Sequence, residues 1–430
     1  MPKKTSEPSP TASLWRHRDF ALLWSGGAVS DLGSAVSTLV LPLIAVQLHA
    51  GTFQVALLGV MGRLPFLLLS LPAGVLVDRM DRRSLMLWCD AGRMLAIGSI
   101  PLVSLLGGKV SMWQLVIAAL AVGSLRVVFD VADQSYLPVL LPVESLVDAN
   151  GKLRATETFA DSVGPTLGAG LTALFGAAAR AIAADSLSYA ASVASLLLIR
   201  AREPKGGQGT SAPRVTFRAA MTEGLRFVLG DAILRRIAVS TATANLGISL
   251  VTAIEVVFLV RSVHSSPTQI GLVLGLGTIG GVGGSLIARR LADGVGTARI
   301  MWVALVVPAP LVFLMPLAQS GWGVLTYAAG WAAFNASGAV YNTAQVSYRQ
   351  TVCPPELRGR MNASIRWLIY STTPVGGLLG GALGTWFGLR SALWVGASVM
   401  ALTGVWLVAS PLRGMRDIPQ VAATGSPAAT

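Results

Sequence analysis

A few charged side chains interrupt long apolar stretches of this sequence, and these residues are the best placed to do chemistry. Asp31 stands about eleven residues into an apolar stretch that begins near residue 20, which is roughly 16 Å along a helix. Arg63 and Glu255 interrupt two other apolar stretches. A charge surrounded by hydrocarbon is costly and tends to face a cavity, where a carboxylate can load and release a proton or bind a cation.

We therefore expect Asp31 to bind a proton or a cation, with a structural hydrogen bond to the fifth or the fourth apolar stretch as the alternative. Arg63 is either the partner of Asp31 or an anion-binding residue. Glu255 lies toward the end of its stretch and is a second candidate for coupling or for binding a cationic substrate.

Other polar residues in the apolar stretches are open to two interpretations. Asp90 with Arg93 and Arg126 with Asp130 are three and four residues apart, so each pair shares a helix face and can satisfy itself. Asp161 and Asp185 lie near the ends of their stretches and fit a structural or a functional role equally. A further polar series either lines a cavity or packs with water: Asn335, Tyr341, Asn342 and Gln345.

Several kinds of site are excluded. The three histidines all lie between apolar stretches, so a proton carrier inside a stretch must be a carboxylate. Cys89 and Cys353 suggest neither a disulfide nor a metal site. No nucleophile–base pair or metal cluster appears, so we expect no enzyme, no metal and no cofactor, with a proton gradient as the energy source.

The elements that must position these residues are membrane helices. Hydrophobic residues make up 53% of the chain, charged residues only 12%, and the mean hydropathy is +0.65, all far from a soluble domain. Twelve apolar spans are long enough to cross a bilayer. In chain order they lie near residues 20–48, 54–77, 84–107, 111–137, 155–178, 181–200, 237–260, 267–288, 299–319, 322–347, 361–387 and 390–411. The sequence therefore predicts an all-α integral membrane protein.

The positive charge identifies the cytoplasmic side. Most of the 33 Lys and Arg residues lie at the N-terminus and in every second connection, which places both termini in the cytoplasm. The net charge of +13 is thus an orientation signal and a contact for anionic lipids of the inner leaflet, and it does not indicate nucleic acid. We expect a multi-pass protein of the cytoplasmic membrane.

The longest polar connection divides the spans six and six. Its first part is rich in Gly, Ser and Pro, and its second part, 217–237, has apolar residues at helical spacing among arginines, which predicts an amphipathic helix on the inner membrane surface. The predicted parts are a cytoplasmic tail (1–19), an N-terminal six-helix bundle (20–200), a cytoplasmic loop (201–236), a C-terminal six-helix bundle (237–411) and a second cytoplasmic tail (412–430).

The two halves repeat each other weakly. Four residues recur 212 positions later in the chain: Pro142, Glu144, Asn150 and Arg154 become Pro354, Glu356, Asn362 and Arg366. Parallel repeats of this kind are expected when two helical bundles are related by an axis normal to the membrane.

A basic turn joins the second and third spans. Its residues, Gly74-x-Leu76-x-Asp78-Arg79-x-x-Arg82-Arg83, are similar to the loop motif of the major facilitator superfamily, with Asp81 where a glycine is usual. We expect Asp78 to cap the next helix or to pair with Arg82. We expect the arginines to meet carboxylates, with Asp130 and Asp133 as candidates, and to act as a cytoplasmic latch. The alternative is that these charges only set topology.

Two glycine motifs lead to opposite conclusions. Gly164-Pro165-x-x-Gly168 resembles the signature of proton-driven exporters in that superfamily, although Ala160 and Ala169 replace glycines of the fuller pattern; ordinary close packing is the alternative. Gly275-x-Gly277-x-x-Gly280 matches a dinucleotide fingerprint, but it lies inside an apolar span without a preceding strand, so we interpret it as helix packing.

The resemblance covers nearly the whole chain and includes Ser30-Asp31-x-Gly33 and Pro355-Glu356-Leu357-x-Gly359-Arg360-x-Asn362. It implies a major facilitator fold of two pseudo-symmetric six-helix bundles with twelve transmembrane helices. It also implies proton-coupled efflux of a hydrophobic small molecule by a monomer, as in the drug, macrolide and siderophore exporter branch, with Asp31 exchanging a proton against substrate in the central cavity. The alternatives are a proton-independent facilitator or importer and a non-transporting sensor or scaffold.

Overall fold

The computed structural model describes residues 14–201, 217–354 and 357–418, and that part of the chain is almost entirely helical, without a strand. The first seven α-helices are α1 (Arg18–Gln47), α2 (Thr52–Arg79), α3 (Arg82–Leu105), α4 (Met112–Leu140), α5 (Leu146–Phe175), α6 (Ala178–Ala181) and α7 (Ala183–Leu198). The others are α8 (Phe217–Gly230), α9 (Ala232–Arg261), α10 (Pro267–Val295), α11 (Arg299–Val306), α12 (Leu325–Val352), α13 (Arg358–Trp386), α14 (Leu389–Ala401) and α15 (Thr403–Val408).

The twelve predicted spans all fall on helical segments. Among the described residues, eight helical segments are long and apolar enough to cross a membrane by length and composition: α1, the first part of α2, α3, α4, α6–α7, α9, α10 and α14–α15. Three long helices, α5, α12 and α13, fall outside that group because they carry polar and charged residues along much of their length. The ninth predicted span is a shorter apolar segment, Arg299–Leu314.

Three predicted spans are broken. The ninth consists of α11 and a 3-10 helix, Ala309–Leu314, and the break falls at Pro308 and Pro310, which cannot donate the backbone hydrogen bonds of a continuing helix. The sixth is divided into α6 and α7 at Ile182, and the twelfth into α14 and α15 at Leu402.

The chain forms two compact units, and the first comprises Met1–Leu41 and Leu68–Gly209. One of its buried apolar clusters joins the beginnings of α1 and α3 to the ends of α4 and α7, around Phe20, Met86 and Tyr136. The carboxylate of Asp19 fastens this end of the unit, because it accepts the backbone N–H groups of Arg200 and Ala201 just after α7.

The second unit comprises Pro42–Leu67 and Thr210–Thr430. The sequence assigns residues 42–67 to the N-terminal bundle, but they pack with this unit through glycine contacts and a hydrogen bond. Gly377 and Gly381 of α13 present bare backbone toward Val60 and Ala56 of α2. In addition, Arg261 at the end of α9 donates to the carbonyl of Ala50 at 2.6 Å.

The predicted amphipathic helix is present as α8, but it ends at Gly230 rather than near residue 237. Asp231 caps the next helix, accepting from the backbone of Ile233 and Leu234, so these residues begin α9. Glu223 of α8 pairs with Arg360 of α13, and the backbone of Gly224 abuts the same turn, so α8 rests on the end of α13. The predicted linker at 202–214 and most of both tails lie outside the described residues.

Candidate transport and coupling site

Arg126 of α4 gathers three carboxylates from three helices in the first unit. Its guanidinium lies 3.3 Å from Asp31 of α1, 3.7 Å from Asp130 of α4 and 3.9 Å from Glu157 of α5. Glu157 also accepts from Arg154 at 2.7 Å. The cluster therefore holds three carboxylates and two guanidinium groups, so one negative charge has no cation of its own.

Arg126 and its three carboxylate partners are neither sealed from solvent nor fully open to it. Arg126, Asp31, Asp130 and Glu157 are 26%, 29%, 32% and 35% exposed, respectively. A proton or a cationic group can reach them, while the surrounding protein keeps their interactions stronger than on an open surface. Such a site can exchange an ion pair for a protonated carboxylate.

Two further polar residues of α1 lie on the same face as Asp31, at three-residue steps. The Ser34 hydroxyl lies 2.9 Å from the Tyr189 hydroxyl of α7, and the next, Ser37, donates to the buried carboxylate of Asp185, also on α7. Since a helix rises 1.5 Å per residue, these polar groups extend about 9 Å along α1. They form a polar track inside the first unit, which we define as Asp31, Ser34, Ser37, Asp185 and Tyr189.

Glycines allow the helices around this track to approach closely. A Cβ on Gly33 of α1 would collide with Ser188 and lie 2.9 Å from a carboxylate oxygen of Asp185. On the other side of α1, a Cβ on Gly164 would collide with Ala35, and one on Gly168 would lie 3.0 Å from the carbonyl of Val36. The exporter-like motif thus packs α5 directly against the track-bearing helix, while Pro165 lies within α5.

A buried ion pair lies beside the cluster. Asp90 and Arg93 of α3 pair as their spacing predicted, with side-chain exposures of only 0% and 2%. The Arg93 guanidinium also lies 4.3 Å from the ring of Phe129 and 4.7 Å from the ring of Tyr189. The guanidinium thus packs against the ring of Tyr189, the track residue whose hydroxyl contacts Ser34.

The second unit contains a separate carboxylate. Glu255 of α9 accepts a hydrogen bond from the Tyr327 hydroxyl of α12 at 3.1 Å. Arg63 of α2 belongs to the same unit and lies within electrostatic range of Glu255. Asp31 pairs with Arg126, a partner that the sequence did not predict, and the role of Arg63 beside Asp31 or in anion binding stays a prediction. Sequence position along two helices cannot reveal which faces they turn toward each other.

The predicted polar series on α12 does not share one environment. Tyr341 is buried, and its hydroxyl lies 3.1 Å from Thr241 of α9. Gln345 is also buried and donates to Asn342 at 2.8 Å, whereas Asn342 itself is exposed. Asn335 donates to the carbonyl of Trp331 within its own helix. Cavity lining by these residues stays a prediction.

The basic turn between α2 and α3 differs from expectation in two contacts. Asp81, rather than Asp78, caps α3 and accepts the Ser84 N–H at 2.8 Å. Arg83 donates to the carbonyls of Leu196 and Leu197 at the end of α7, where a helix terminus leaves acceptors unpaired, and not to a carboxylate.

The predicted carboxylate partners of the turn are also placed differently. Asp130 pairs with Arg126 of its own helix, and Asp133 forms no ion pair with a described residue. Gly74 lies within α2, and Asp78 and Arg79 are exposed at its end. The latch stays a prediction for Arg79 and Arg82.

The glycine motif and the cysteines, which the sequence analysis excluded as ligand and metal sites, lie in packed parts of the structure. Gly275, Gly277 and Gly280 lie within the continuous helix α10, where a Cβ on Gly280 would collide with Ala332 of α12. Cys89 and Cys353 are both buried thiols. The described residues hold no group of three or more His, Cys, Asp and Glu that could bind a metal ion.

Sequence reasoning missed Glu157, Ser34, Ser37 and Tyr189. Glu157 lies in the amphipathic first half of α5, where its charge looks like part of a solvated face. The two serines had a detectable signal, because with Asp31 they recur at three-residue spacing along one face of α1. Tyr189 offered none, since a single tyrosine in an apolar helix is ordinary.

Comparison with known proteins places this arrangement among transporters. Residues 9–428 match the family described as transmembrane secretion effector. The chain is 26% identical over 404 residues to the multidrug efflux pump Tap of Mycolicibacterium fortuitum, covering 91% of this chain and 94% of that protein. It is 27% identical over 207 residues to macrolide efflux protein A of Streptococcus pyogenes, covering 48% of this chain and 50% of that protein.

A solved structure shares the fold. The inward-facing crystal structure of a bacterial homologue of the iron transporter ferroportin superposes with a TM-score of 0.72 at 17% identity, covering 92% of this chain and 99% of that one.

Proposed function

The chain belongs to the transmembrane secretion effector family of the major facilitator superfamily, and we propose that it exports a hydrophobic small molecule in exchange for protons. Membership makes it a multi-pass membrane transporter. The direction of transport, the proton and the substrate class are the proposal. Support for efflux comes from the two relatives, which are named a multidrug efflux pump and a macrolide efflux protein.

The observation that carries the proposal is the shared guanidinium of Arg126. Asp31 on α1 competes for it with Asp130 and Glu157. When a proton binds Asp31, the carboxyl becomes neutral and its ion pair with Arg126 is lost, while Arg126 keeps the other two carboxylates. A proton thus loosens α1 from α4 without leaving a charge unpaired, which biases a conformational equilibrium by differential interaction.

The polar track gives the proton a route to this point. Asp185 lies at the start of α7 and is joined to Ser37 of α1. Tyr189 is joined to Ser34, which follows Asp31 by three residues, or about one helical turn. Hydroxyl groups both donate and accept, so they can relay a proton between two carboxylates. In the proposal, Asp185 takes up the proton and Asp31 exchanges it against substrate during alternating access.

The test uses inverted membrane vesicles that contain the full chain, an acidified lumen, and a radiolabelled macrolide as the probe. Wild-type vesicles should accumulate the macrolide above its outside concentration, and a protonophore should abolish the accumulation. An Asp31→Asn variant cannot release a proton at this position, so it should lose gradient-driven accumulation while exchange of labelled for unlabelled macrolide continues.

Matched variants make the test specific. Asp148→Asn removes an exposed carboxylate of α5 whose ion-pair partner among the described residues is Lys152, and it should transport as wild type does. Glu255→Gln tests whether the carboxylate of the second unit, rather than Asp31, couples transport to protons. Uphill transport by Asp31→Asn, together with loss in Glu255→Gln, would move coupling away from Asp31. Uptake that only equilibrates the macrolide across the membrane, with or without the proton gradient, in wild type and in every variant would favour a facilitator.

A further inference from the structure

The ends of α12 and α13 enclose a cationic cavity that the transport site does not use. Its volume is about 560 Å³, within the range of roughly 300–1,000 Å³ that holds small organic ligands. Arg349 and Gln350 line it from α12, and Arg358, Asn362 and Arg366 line it from α13. The described lining contains three guanidinium groups and no carboxylate.

The contacts of the three arginines among the described residues leave their positive charges available for a ligand. Arg349 donates to Gln345 at 3.1 Å and to Asn362, but its buried Nε has no hydrogen-bond partner. Arg358 is held by the carbonyls of Gln350 at 3.0 Å and Cys353 at 3.2 Å, neither of which neutralises its charge. Arg366 has no ion-pair partner among the described residues.

Comparison of the two halves of the internal repeat shows that two of the three arginines occur only in the second half. An offset of 212 residues superimposes the last residues of α4 and α12 and the first residues of α5 and α13. At that offset Arg349 and Arg358 take the places of Leu137 and Leu146.

The third arginine has a counterpart in the first half, but only that counterpart has an acidic residue beside it. Arg366 corresponds to Arg154, which pairs with Glu157 three residues later; three residues after Arg366 stands Ile369. The second half therefore gains two cations and loses the acid that would satisfy a third. Packing alone gives no reason to bring together three guanidinium groups that have no carboxylate partner among the described residues, because their mutual repulsion destabilises the cavity.

We infer that this cavity binds a phosphate group, held by Arg349, Arg358 and Arg366. A guanidinium presents a planar fork of donors that matches phosphate oxygens. Three guanidinium groups can neutralise both a singly charged phosphodiester and a doubly charged phosphomonoester. The distribution of basic residues places this end of α12 and α13 at the cytoplasmic side, where anionic phospholipid headgroups and soluble phosphate compounds both occur.

The experiment measures the thermal unfolding of the purified full chain in detergent, titrated with three probes. These are dioleoylphosphatidylglycerol, glycerol 1-phosphate and, as a zwitterionic control, dioleoylphosphatidylcholine. Wild type should be stabilised by one or both anionic probes and much less by phosphatidylcholine. Stabilisation by phosphatidylglycerol alone identifies a lipid headgroup as the source, and stabilisation by glycerol 1-phosphate identifies a soluble phosphate.

Arg366→Gln is the first variant, because it removes a cavity charge without breaking an ion pair among the described residues. It should weaken the apparent affinity about tenfold, which is the loss of about one charge-assisted hydrogen bond. Arg349→Gln should act in the same direction. Arg413→Gln removes an exposed arginine of the second unit outside the cavity and should bind as wild type does.

Three results overturn the inference. One is the absence of stabilisation by either anionic probe. Another is equal weakening in Arg413→Gln, which would mean general attraction to a basic surface. The last is unchanged affinity in Arg366→Gln and Arg349→Gln when both variants melt, without probe, at the wild-type temperature.

Discussion

At the scale of single residues, Arg126 stands out because one guanidinium serves Asp31, Asp130 and Glu157. Removing a cation from such a group leaves like charges facing each other in a partly buried setting, which is more damaging than losing an exposed ion pair. Loss of Arg126 should therefore destabilise the protein much more than loss of Arg154, the other arginine of the cluster.

We expect Arg126→Gln to lower the melting temperature in detergent by roughly 3–6 °C at neutral pH. Mild acid should reduce this difference, because protonation of the carboxylates removes their repulsion. Arg154→Gln is the matched control. Arg154 is 62% exposed and, in the part of the chain that the structure describes, forms its ion pair with Glu157, so its loss should change the melting temperature by less than about 2 °C. Equal effects of the two variants would contradict the central role of Arg126.

At the scale of helices, the approach of α5 to α1 depends on the absence of side chains at two positions. Gly164 and Gly168 face the backbone of α1 at Ala35 and Val36, beside the polar track. A methyl group there must push the helices apart, and overpacking of this kind costs about 1–3 kcal/mol.

Gly164→Ala should therefore lower both the melting temperature and macrolide accumulation in vesicles. Gly170→Ala lies on the same helix, where an added Cβ meets no atom within 4 Å, so it should be neutral or stabilising by up to about 1 kcal/mol. Thermal unfolding and transport assays of the two variants side by side check the prediction. If Gly164→Ala transports normally, the glycine motif has no part in helix approach.

The helices also show what the sequence can and cannot predict. Partners within one helix followed from spacing alone, as for Asp90 with Arg93 and Arg126 with Asp130. Partners on different helices did not, because the pairing of Asp31 with Arg126 and of Ser37 with Asp185 depends on how each helix is rotated about its axis. Hydropathy gives the position of a span along the chain but not that rotation.

The cap of α3 was missed for a different reason. Asp78 and Asp81 are both acidic residues near a helix boundary, and choosing between them requires the boundary to within one residue. The connection between α2 and α3 is only two residues long, so Asp81 rather than Asp78 takes the capping position.

At the scale of the whole molecule, the charge distribution predicts which side of the membrane each turn faces. Met80, in the basic turn after α2, and Lys109, in the connection after α3, are both exposed. The native thiols Cys89 and Cys353 are each only 2% exposed, so they add little background to thiol labelling, and a Cys-free background removes it altogether.

In intact cells, a membrane-impermeant maleimide should label Lys109→Cys and should not label Met80→Cys. After permeabilisation both should react. The physical reason is that the arginines of the α2–α3 turn remain on the cytoplasmic side during insertion. Labelling of Met80→Cys from outside would reverse the predicted topology and with it the direction assigned to transport.

The polar character of α5, α12 and α13 bears on how the protein is made. A charged side chain at the centre of an inserting helix costs about 2.5–3.5 kcal/mol, and α5 carries Asp161 near its middle. The helices α12 and α13 fall outside the apolar group of eight because small and polar residues fill much of their length, so all three gain little from lipid on their own. Each of the three is followed closely by a more apolar segment or packs along one, as α12 does on α10 and α13 on α9. During biosynthesis these three helices must therefore enter the bilayer together with neighbours that shield them. A nascent chain cut off just after α5 should be handed to quality control rather than retained in the membrane.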